Sequence, residues 1–292
     1  MKPFSLPKDF MLGSATSATQ IEGGDRGNTW YRWCEAGHIK GGSSCLRAAD
    51  HWNRVEEDVE LLTATHQRTY RMSLEWSRIE PELGVFSGEA LAHYRRELML
   101  LIENGIQPLI TLHHFSLPLW FADLDGFLNP ECVVWFERYV RRVVDALGDL
   151  VQDYVTINEP NVYATNGYYF GIWPPGIRDF RKTLKVCRNL VRCHTMAFDL
   201  IHGLREASGF QGPTRVGAAH HLIVFEPFGH SLPDRLAAKL ANHLFQGAMV
   251  EAFTTGRLLP PIGLSFPDVR ARLFRASSGK RSAKALGQRC YS

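Results

Sequence analysis

Two kinds of apolar pattern alternate along this chain. Short runs rich in β-branched and aromatic residues favour strands, and they start near residues 10, 68, 108, 153 and 215. The first strand is predicted at 10–19 and the fifth at 215–224. Between them, apolar residues recur every three or four positions, which is typical of amphipathic helices. The helices are predicted at 50–64, 87–105, 130–147, 183–207 and 233–253. A glycine-rich stretch at 25–50 that contains Trp30 and Trp33 is predicted to be an irregular loop.

This alternation predicts the fold class. The repeat of about 51 residues is typical of consecutive βαβ units around a parallel sheet. Eight such repeats make a TIM barrel, and this chain of 292 residues contains five. We therefore expect an α/β fold over residues 1–263, namely a (β/α)8 TIM barrel truncated to about five βα repeats.

Residues 264–292 follow a different pattern and form a separate predicted region. From residue 268 onward the chain has seven Lys or Arg residues, one acid and no strand-like run. We expect a divergent basic tail that is disordered or foreign to the fold. A truncated gene, or a frameshift near Leu264, would produce such a tail.

Composition excludes several classes of function. Hydrophobic residues make up 45% of the chain and charged residues 22%, which is ordinary for a globular protein. The net charge of +3 is too small and dispersed to indicate a nucleic-acid partner. A membrane span needs about 18 consecutive apolar residues, and no such run is present. The N-terminus lacks the apolar region of a signal peptide, and the six cysteines form no CxxC pair. We expect reduced thiols and a cytoplasmic location.

The strand that starts near residue 153 ends in Asn158-Glu159-Pro160. Pro160 lacks an N–H and disfavours the helical conformation for Glu159, so the strand must stop there. A carboxylate is thus placed at the carboxyl end of a buried strand, which is where α/β barrels carry their chemistry. Taken alone, Asn-Glu-Pro fits an ordinary turn equally well.

Other polar residues lie in or after the neighbouring strands. Gln20 follows the first strand, and its amide can donate and accept with sugar hydroxyls, although an ordinary loop amide explains its position as well. Arg71 lies inside the second strand, where we expect it to meet a carboxylate, in a structural or a catalytic role. His113 and His114 end the third strand and must point to opposite faces, which argues against a metal site built from both. No metal and no cofactor are expected.

Four segments in order resemble glycoside hydrolase family 1, the family of β-glucosidases and 6-phospho-β-glucosidases. These segments are 10–23, 70–79, 111–118 and 156–161. The resemblance implies a retaining hydrolase of β-glucosides with Glu159 as general acid/base. It also implies that Asn158 holds the sugar 2-hydroxyl, that Gln20 and His114 bind other hydroxyls, and that Arg71 lies near the nucleophile and tunes its ionisation.

The chain also departs from the family pattern. Phe115 replaces the usual Trp and cannot donate its hydrogen bond, and Ser116 stands where Asp is common. The resemblance ends near residue 263, and the Thr-Glu-Asn-Gly motif of the family's nucleophile is not found. A retaining glycosidase needs two carboxylates about 5 Å apart, so we expect this chain alone to have little or no activity. Glu22, Glu75 and Glu226 are possible substitutes, but each is expected to be a loop or structural acid.

Three functions follow from this pattern. The chain is the N-terminal part of a β-glucosidase-like hydrolase, a carbohydrate-binding remnant without catalysis, or a non-functional truncated product. A sheet of five barrel strands leaves its first and last strands with unpaired edges. We therefore expect self-association or a complementing chain at these edges.

Overall fold

The computed structural model describes residue 5, residue 7 and residues 9–263. The tail predicted at 264–292 lies outside the described residues. At the centre is a five-stranded sheet in the order β1-β2-β3-β4-β5, and every neighbouring pair is parallel. The strands are β1 Gly13–Ala15, β2 Thr69–Ser73, β3 Gln107–His113, β4 Asp153–Asn158 and β5 Arg215–Ala219. This sequential parallel order is the one predicted for consecutive βαβ units.

All five predicted helices are present, with shorter helices near the strand ends. The helices are α1 Ala18–Ile21, α2 Thr29–Glu35, α3 Val55–Ala64, α4 Trp76–Ile79, α5 Gly88–Glu103, α6 Leu119–Asp123, α7 Cys132–Leu147, α8 Pro160–Ala164, α9 Phe180–Ala207, α10 Leu232–Asn242 and α11 Ala248–Thr255. A π-helical turn, His243–Gly247, joins the last two and completes the helix predicted at 233–253. No described helix is long and apolar enough to cross a bilayer.

Local capping explains where the second predicted helix begins and ends. The Ser87 hydroxyl accepts a hydrogen bond from the backbone N–H of Ala90 at 3.1 Å, so α5 starts directly after Ser87. Asn104 ends the helix, and Gly105 follows with φ at 72°. A left-handed backbone after a helix favours glycine, which is why this position stops the helix.

The apolar core packs around an aromatic cluster beneath β2 and β3. Trp76 is 1% exposed, and its ring lies 4.7 Å from that of Tyr139 and 4.8 Å from that of Phe121. The Trp76 indole N–H donates to the buried carboxylate of Glu80 at 2.8 Å. The cluster joins α4, α6 and α7 and so supports the strand ends above it.

Three sequence predictions about element boundaries were wrong. The first strand is only three residues long, because the backbone N–H of Ala18 bonds to the Ser73 hydroxyl at 2.7 Å and begins α1. The stretch at 25–50 is not wholly irregular, because Asn28 caps α2 through the Tyr31 N–H at 2.8 Å. The fifth strand ends at Ala219, where its partner β4 also ends, so the apolar residues 222–224 are exposed.

Candidate active site

The site is centred on Glu159, the first residue after β4. Its backbone has φ 41° and ψ 60°, a left-handed conformation that is strained for a residue other than glycine. The Glu159 N–H donates to the Ala219 carbonyl at 2.6 Å, and its own carbonyl accepts from Tyr163 in α8 at 2.9 Å. These bonds hold a sharp turn between strand and helix. The Glu159 side chain is 32% exposed at the carboxyl edge of the sheet.

Arg71 on β2 connects three strands below this turn. Its Nε donates to the Thr111 hydroxyl on β3 at 3.0 Å, and its Nη2 donates to the Asn158 amide oxygen on β4. Burial lowers the pKa of Arg71, and the Glu159 carboxylate opposes that shift. The prediction that Arg71 meets a carboxylate was wrong for direct contact within the described chain, because Thr111 and Asn158 occupy the positions nearest its guanidinium.

Asn158 is buried and has a fixed amide orientation. Because its oxygen accepts from Arg71, its amide nitrogen is the group left to donate to a ligand. An amide donor beside a carboxylate suits a sugar hydroxyl, which can both accept and donate.

His114, the residue after β3, adds a neutral ring within electrostatic reach of Arg71. Burial lowers the pKa of His114 to about 3, with further repulsion from Arg71 and His113. Its Nδ1 is buried and has no hydrogen-bond partner within the described part of the chain. His113 instead packs edge-on against Phe127 and Tyr163, at 5.1 and 5.0 Å. The two rings thus have separate surroundings, as predicted for neighbours on a strand.

The structure brings four of the five predicted site residues together and leaves the fifth apart. Arg71 bonds to Asn158 and interacts electrostatically with Glu159 and His114. Gln20 is exposed on α1 instead of ending a strand, so its predicted strand-end position was wrong. Within residues 9–263 its side chain forms no hydrogen bond with the other four. A role for Gln20 in binding stays a prediction.

Two of the three substitute carboxylates are held by other protein groups. Glu75 is 1% exposed and accepts hydrogen bonds from the hydroxyls of Thr19, Ser77 and Ser116, at 3.1, 2.8 and 2.7 Å. The contact with Ser116 explains why a serine suits this position, since an aspartate here would place a second acid against the buried Glu75. The third candidate, Glu226, is exposed on the segment that follows β5.

Glu22 belongs to the same buried network as Glu75. It accepts from Arg78 and from the Tyr94 hydroxyl, each at 2.8 Å. Burial raises the pKa of Glu22 to about 8, although Arg78 opposes the shift. Burial and the nearby Asp25 raise the pKa of Glu75 to about 7, although its hydroxyl donors oppose the shift. Both environments therefore favour the protonated acid.

His51 is a third titratable group of this region. Burial opposes its positive charge, but Glu97 at 2.9 Å and Asp58 at 2.6 Å raise the pKa of His51 to about 9. Protonation of the imidazole therefore stabilises the folded state.

These three shifts predict a stability that decreases with rising pH. Glu75 and Glu22 have raised pKa values, so their contribution to the stability of the fold is complete below pH 4.5. It is lost as pH rises through about 7 for Glu75 and about 8 for Glu22. The contribution of His51 is complete below 6.5 and is lost as pH rises through about 9. We expect Tm, measured by circular dichroism, to fall between pH 5 and pH 9.

The Glu75→Gln variant tests the assignment of this pH dependence. Glutamine keeps one oxygen that can accept from Thr19 and Ser116, and its NH2 can donate to the Ser77 hydroxyl. The substitution removes the titration, so the variant is expected to lose less Tm between pH 4.5 and pH 7 than the parent. Glu60→Gln, an exposed position on α3, is the matched control and should follow the parent. A Glu75→Gln curve parallel to that of the parent would contradict the assignment.

Sequence reasoning missed one neighbour of Glu159. The His221 Nδ1 lies 3.7 Å from the Glu159 Oε1, and the His221 carbonyl accepts from the Asn161 side chain at 2.8 Å. The sequence signal that could have identified His221 is its position near a strand end, since it comes two residues after the last residue of β5. The apolar pattern predicts a strand at 215–224, which would place His221 inside the strand instead of after its end.

Comparison with known proteins identifies the family of this chain. The model of glycosyl hydrolase family 1 matches residues 2–261. The chain belongs to this family. It is 36% identical over 251 residues to "Beta-glucosidase A" of Acetivibrio thermocellus, covering 84% of this chain and 55% of that protein. "Coniferin beta-glucosidase" of Pinus contorta is 39% identical over 179 residues, covering 59% of this chain and 35% of that protein.

Solved structures of the family agree with the fold. A β-glycosidase from Pyrococcus horikoshii has a TM-score of 0.79 at 37% identity, covering 86% of this chain and 56% of that one. β-Glucosidase from Thermotoga maritima in complex with deoxynojirimycin has a TM-score of 0.81 at 30% identity, covering 87% and 58%. These relatives are TIM-barrel enzymes, which confirms the predicted fold class. The chain spans about half the length of the curated relatives it matches.

Proposed function

We propose that this family 1 chain is directed to β-glucosides and that Glu159 is its general acid/base. The observation that carries the proposal is the contact between Arg71 and Asn158 directly beneath the strained turn at Glu159. In this role Glu159 protonates the glycosidic oxygen and then takes a proton from the water that releases the sugar. Asn158 holds the 2-hydroxyl through its amide nitrogen, and His114 binds a further hydroxyl.

The roles of Gln20 and Arg71 complete the proposed site. Gln20 binds a hydroxyl of the same sugar when its exposed side chain turns toward the strand ends. Arg71 interacts with Glu159 and is available to a second carboxylate, whose ionisation it would favour. Neither a metal nor a cofactor has a part in this chemistry.

We further propose that the chain alone has little or no hydrolytic turnover. Retention requires a nucleophilic carboxylate about 5 Å from the acid/base. Glu75 and Glu22 are occupied by structural hydrogen bonds, and Glu226 is exposed. The bound sugar would therefore stay uncleaved, which is the behaviour of a carbohydrate-binding protein. We propose a cytoplasmic location, because the spacing of the cysteines does not resemble a disulfide framework.

Partners of this chain follow from its open sheet. Among the residues that the structure describes, β1 and β5 each pair on one side only. Apolar residues near β5 are exposed, with Val224 at 86% and Phe228 at 103%. We propose that a complementing polypeptide supplies further βα units at these edges. Self-association through the same edges is the alternative arrangement.

A hydrolysis assay tests the proposal of low turnover. The folded 292-residue chain is expected to release no product above background from an aryl β-glucoside or its 6-phosphate. Glu159→Gln should give the same rate, because in this proposal the acid has no nucleophile to assist. Binding of deoxynojirimycin, measured by calorimetry, is expected in the parent and weakened in Asn158→Ala. Turnover that disappears in Glu159→Gln would show that a carboxylate of this chain acts as nucleophile.

A further inference from the structure

An apolar patch that the proposed hydrolysis does not use lies between α8 and the start of α9. It consists of Tyr169, Phe170, Ile172 and Phe180, each between 47% and 57% exposed. The Tyr169 ring packs edge-on against the rings of Phe170 and Phe180, with centroids 5.0 and 6.1 Å apart. Large exposed apolar residues that cluster in this way are typical of an interaction surface.

Neither fraying nor the open edges of the sheet explain the exposure of the apolar patch. The Phe170 N–H donates to the Thr165 carbonyl at 2.8 Å, and the Ile172 N–H donates to the Asn166 carbonyl at 2.9 Å, so the backbone is held in place. The helix that begins at Phe180, α9, packs against both α7 and α11. The apolar patch is therefore available to a partner other than the complementing chain proposed for the sheet edges.

Basic side chains border the apolar patch. Arg178, Arg181 and Lys182 are exposed, and none of them forms an ion pair within the described part of the chain. The one acid among residues 165–182, Asp179, caps α9 by accepting from the Lys182 N–H at 3.0 Å. Arg181 and Lys182 lie in the first turn of α9, where positive charge opposes the helix dipole. The stability of α9 therefore does not explain this charge, whereas an anionic partner does.

We propose that the apolar patch and its basic border form a docking surface for an anionic lipid membrane. Aromatic and aliphatic side chains enter the boundary between headgroups and acyl chains, and the Lys and Arg beside them bind anionic headgroups. Such binding lies on the membrane surface and needs no spanning helix. The cytoplasmic leaflet carries anionic lipids, which agrees with the location proposed above.

Two other kinds of partner fit the apolar patch less well. Four half-exposed side chains offer roughly 400 Å² of apolar area, which is half of the area per partner in a protein–protein interface of standard size. A sugar chain would stack on rings that share a plane, whereas the Phe170 and Phe180 rings are inclined by 70° and 74° to that of Tyr169. Area, ring geometry and charge together favour a lipid surface.

Vesicle flotation of the 292-residue chain tests the proposal, because protein aggregates do not float. We expect the chain to float with vesicles of phosphatidylserine and phosphatidylcholine, and not with vesicles of phosphatidylcholine alone. Raising the salt from about 0.1 M to about 1 M shortens the Debye length from about 10 Å to about 3 Å, so it should release the bound chain. A chain that does not float with the anionic vesicles would overturn the proposal.

Charge variants test the basic border. Arg181→Gln combined with Lys182→Gln is expected to weaken binding to the anionic vesicles by roughly 25-fold, since each basic residue near such a surface contributes about fivefold. Arg235→Gln combined with Lys239→Gln removes two exposed basic residues of α10 and is the matched control, which should bind like the parent. Equal losses in the two variants would show a response to net charge alone and contradict the proposal.

Serine variants test the apolar patch itself. Phe170→Ser combined with Ile172→Ser should weaken binding by about tenfold or more, because two apolar side chains no longer enter the membrane boundary. Leu236→Ser combined with Leu240→Ser, at exposed positions of α10, is the control and should bind like the parent. Binding that is lost only in the α10 variant would place the contact there and refute the proposal. An oligomer that dissociates in the patch variant, measured by gel filtration without lipid, would assign the patch to a protein partner instead.

Discussion

Replacing Arg205 by alanine is expected to lower the free energy of unfolding by about 4 kcal/mol. This arginine of α9 is 1% exposed. Its guanidinium donates to the carbonyl oxygens of Gly148, Val151 and Gln211 and to the Thr214 hydroxyl, the last two at 2.9 and 3.0 Å. Alanine would leave these acceptors without their charged donor, and each buried unsatisfied group costs about 1–3 kcal/mol.

Two further variants make this prediction specific. Lys185→Ala, at an exposed position of the same helix, should change the free energy of unfolding by less than about 0.5 kcal/mol. Arg205→Lys keeps the charge but has fewer donors, so its effect should lie between the other two. Urea unfolding followed by circular dichroism measures all three. Equal free energies of unfolding for Arg205→Ala and Lys185→Ala would show that the four hydrogen bonds of Arg205 make no net contribution to stability.

The position of Arg205 connects stability to the candidate site. Its partners lie in the turns that lead into β4 and β5, and the residues that follow these strands include Glu159 and His221. Loss of the guanidinium would loosen the start of both strands. Because a strand transmits its register along its length, the geometry at the carboxyl ends would change as well.

The parallel sheet could be predicted, and so could the grouping of four candidate residues at one of its edges, because strong local signals agreed. Pro160 stops β4 and leaves Glu159 at its end, and the apolar run before His114 fits only a strand buried on both faces. Neighbouring parallel strands have their carboxyl ends at the same edge of the sheet. The proximity of residues far apart in sequence can therefore be predicted from the strand order alone.

The remaining features depend on contacts that a single sequence does not show. Gln20 leaves the first strand because the Ala18 N–H bonds to the Ser73 hydroxyl, which lies 55 positions away. Arg71 donates to the amide oxygen of Asn158 and not to a carboxylate, because the strand register places Asn158 next to its guanidinium.

Hydrolysis should appear when a complementing part of the barrel is supplied. The experiment mixes the 292-residue chain with the part of Acetivibrio thermocellus β-glucosidase A that lies beyond the region this chain matches. The resemblance to family 1 implies that this part carries the nucleophilic carboxylate, and its strands would pair with the edges of β1 and β5 that have no partner within the described residues. We expect aryl β-glucoside hydrolysis from the mixture and none from either part alone.

Variants of the mixture then test the role of Glu159. Glu159→Gln should reduce the restored rate by about 100-fold or more, since general acid/base catalysis contributes roughly 10²–10⁴. Glu226→Gln, at an exposed carboxylate near β5, is the control and should leave the rate unchanged. Loss of rate without loss of complex, measured by gel filtration, would assign a chemical role to Glu159. A restored rate that survives Glu159→Gln would place the acid elsewhere, and a chain that associates only with itself would contradict complementation at these edges.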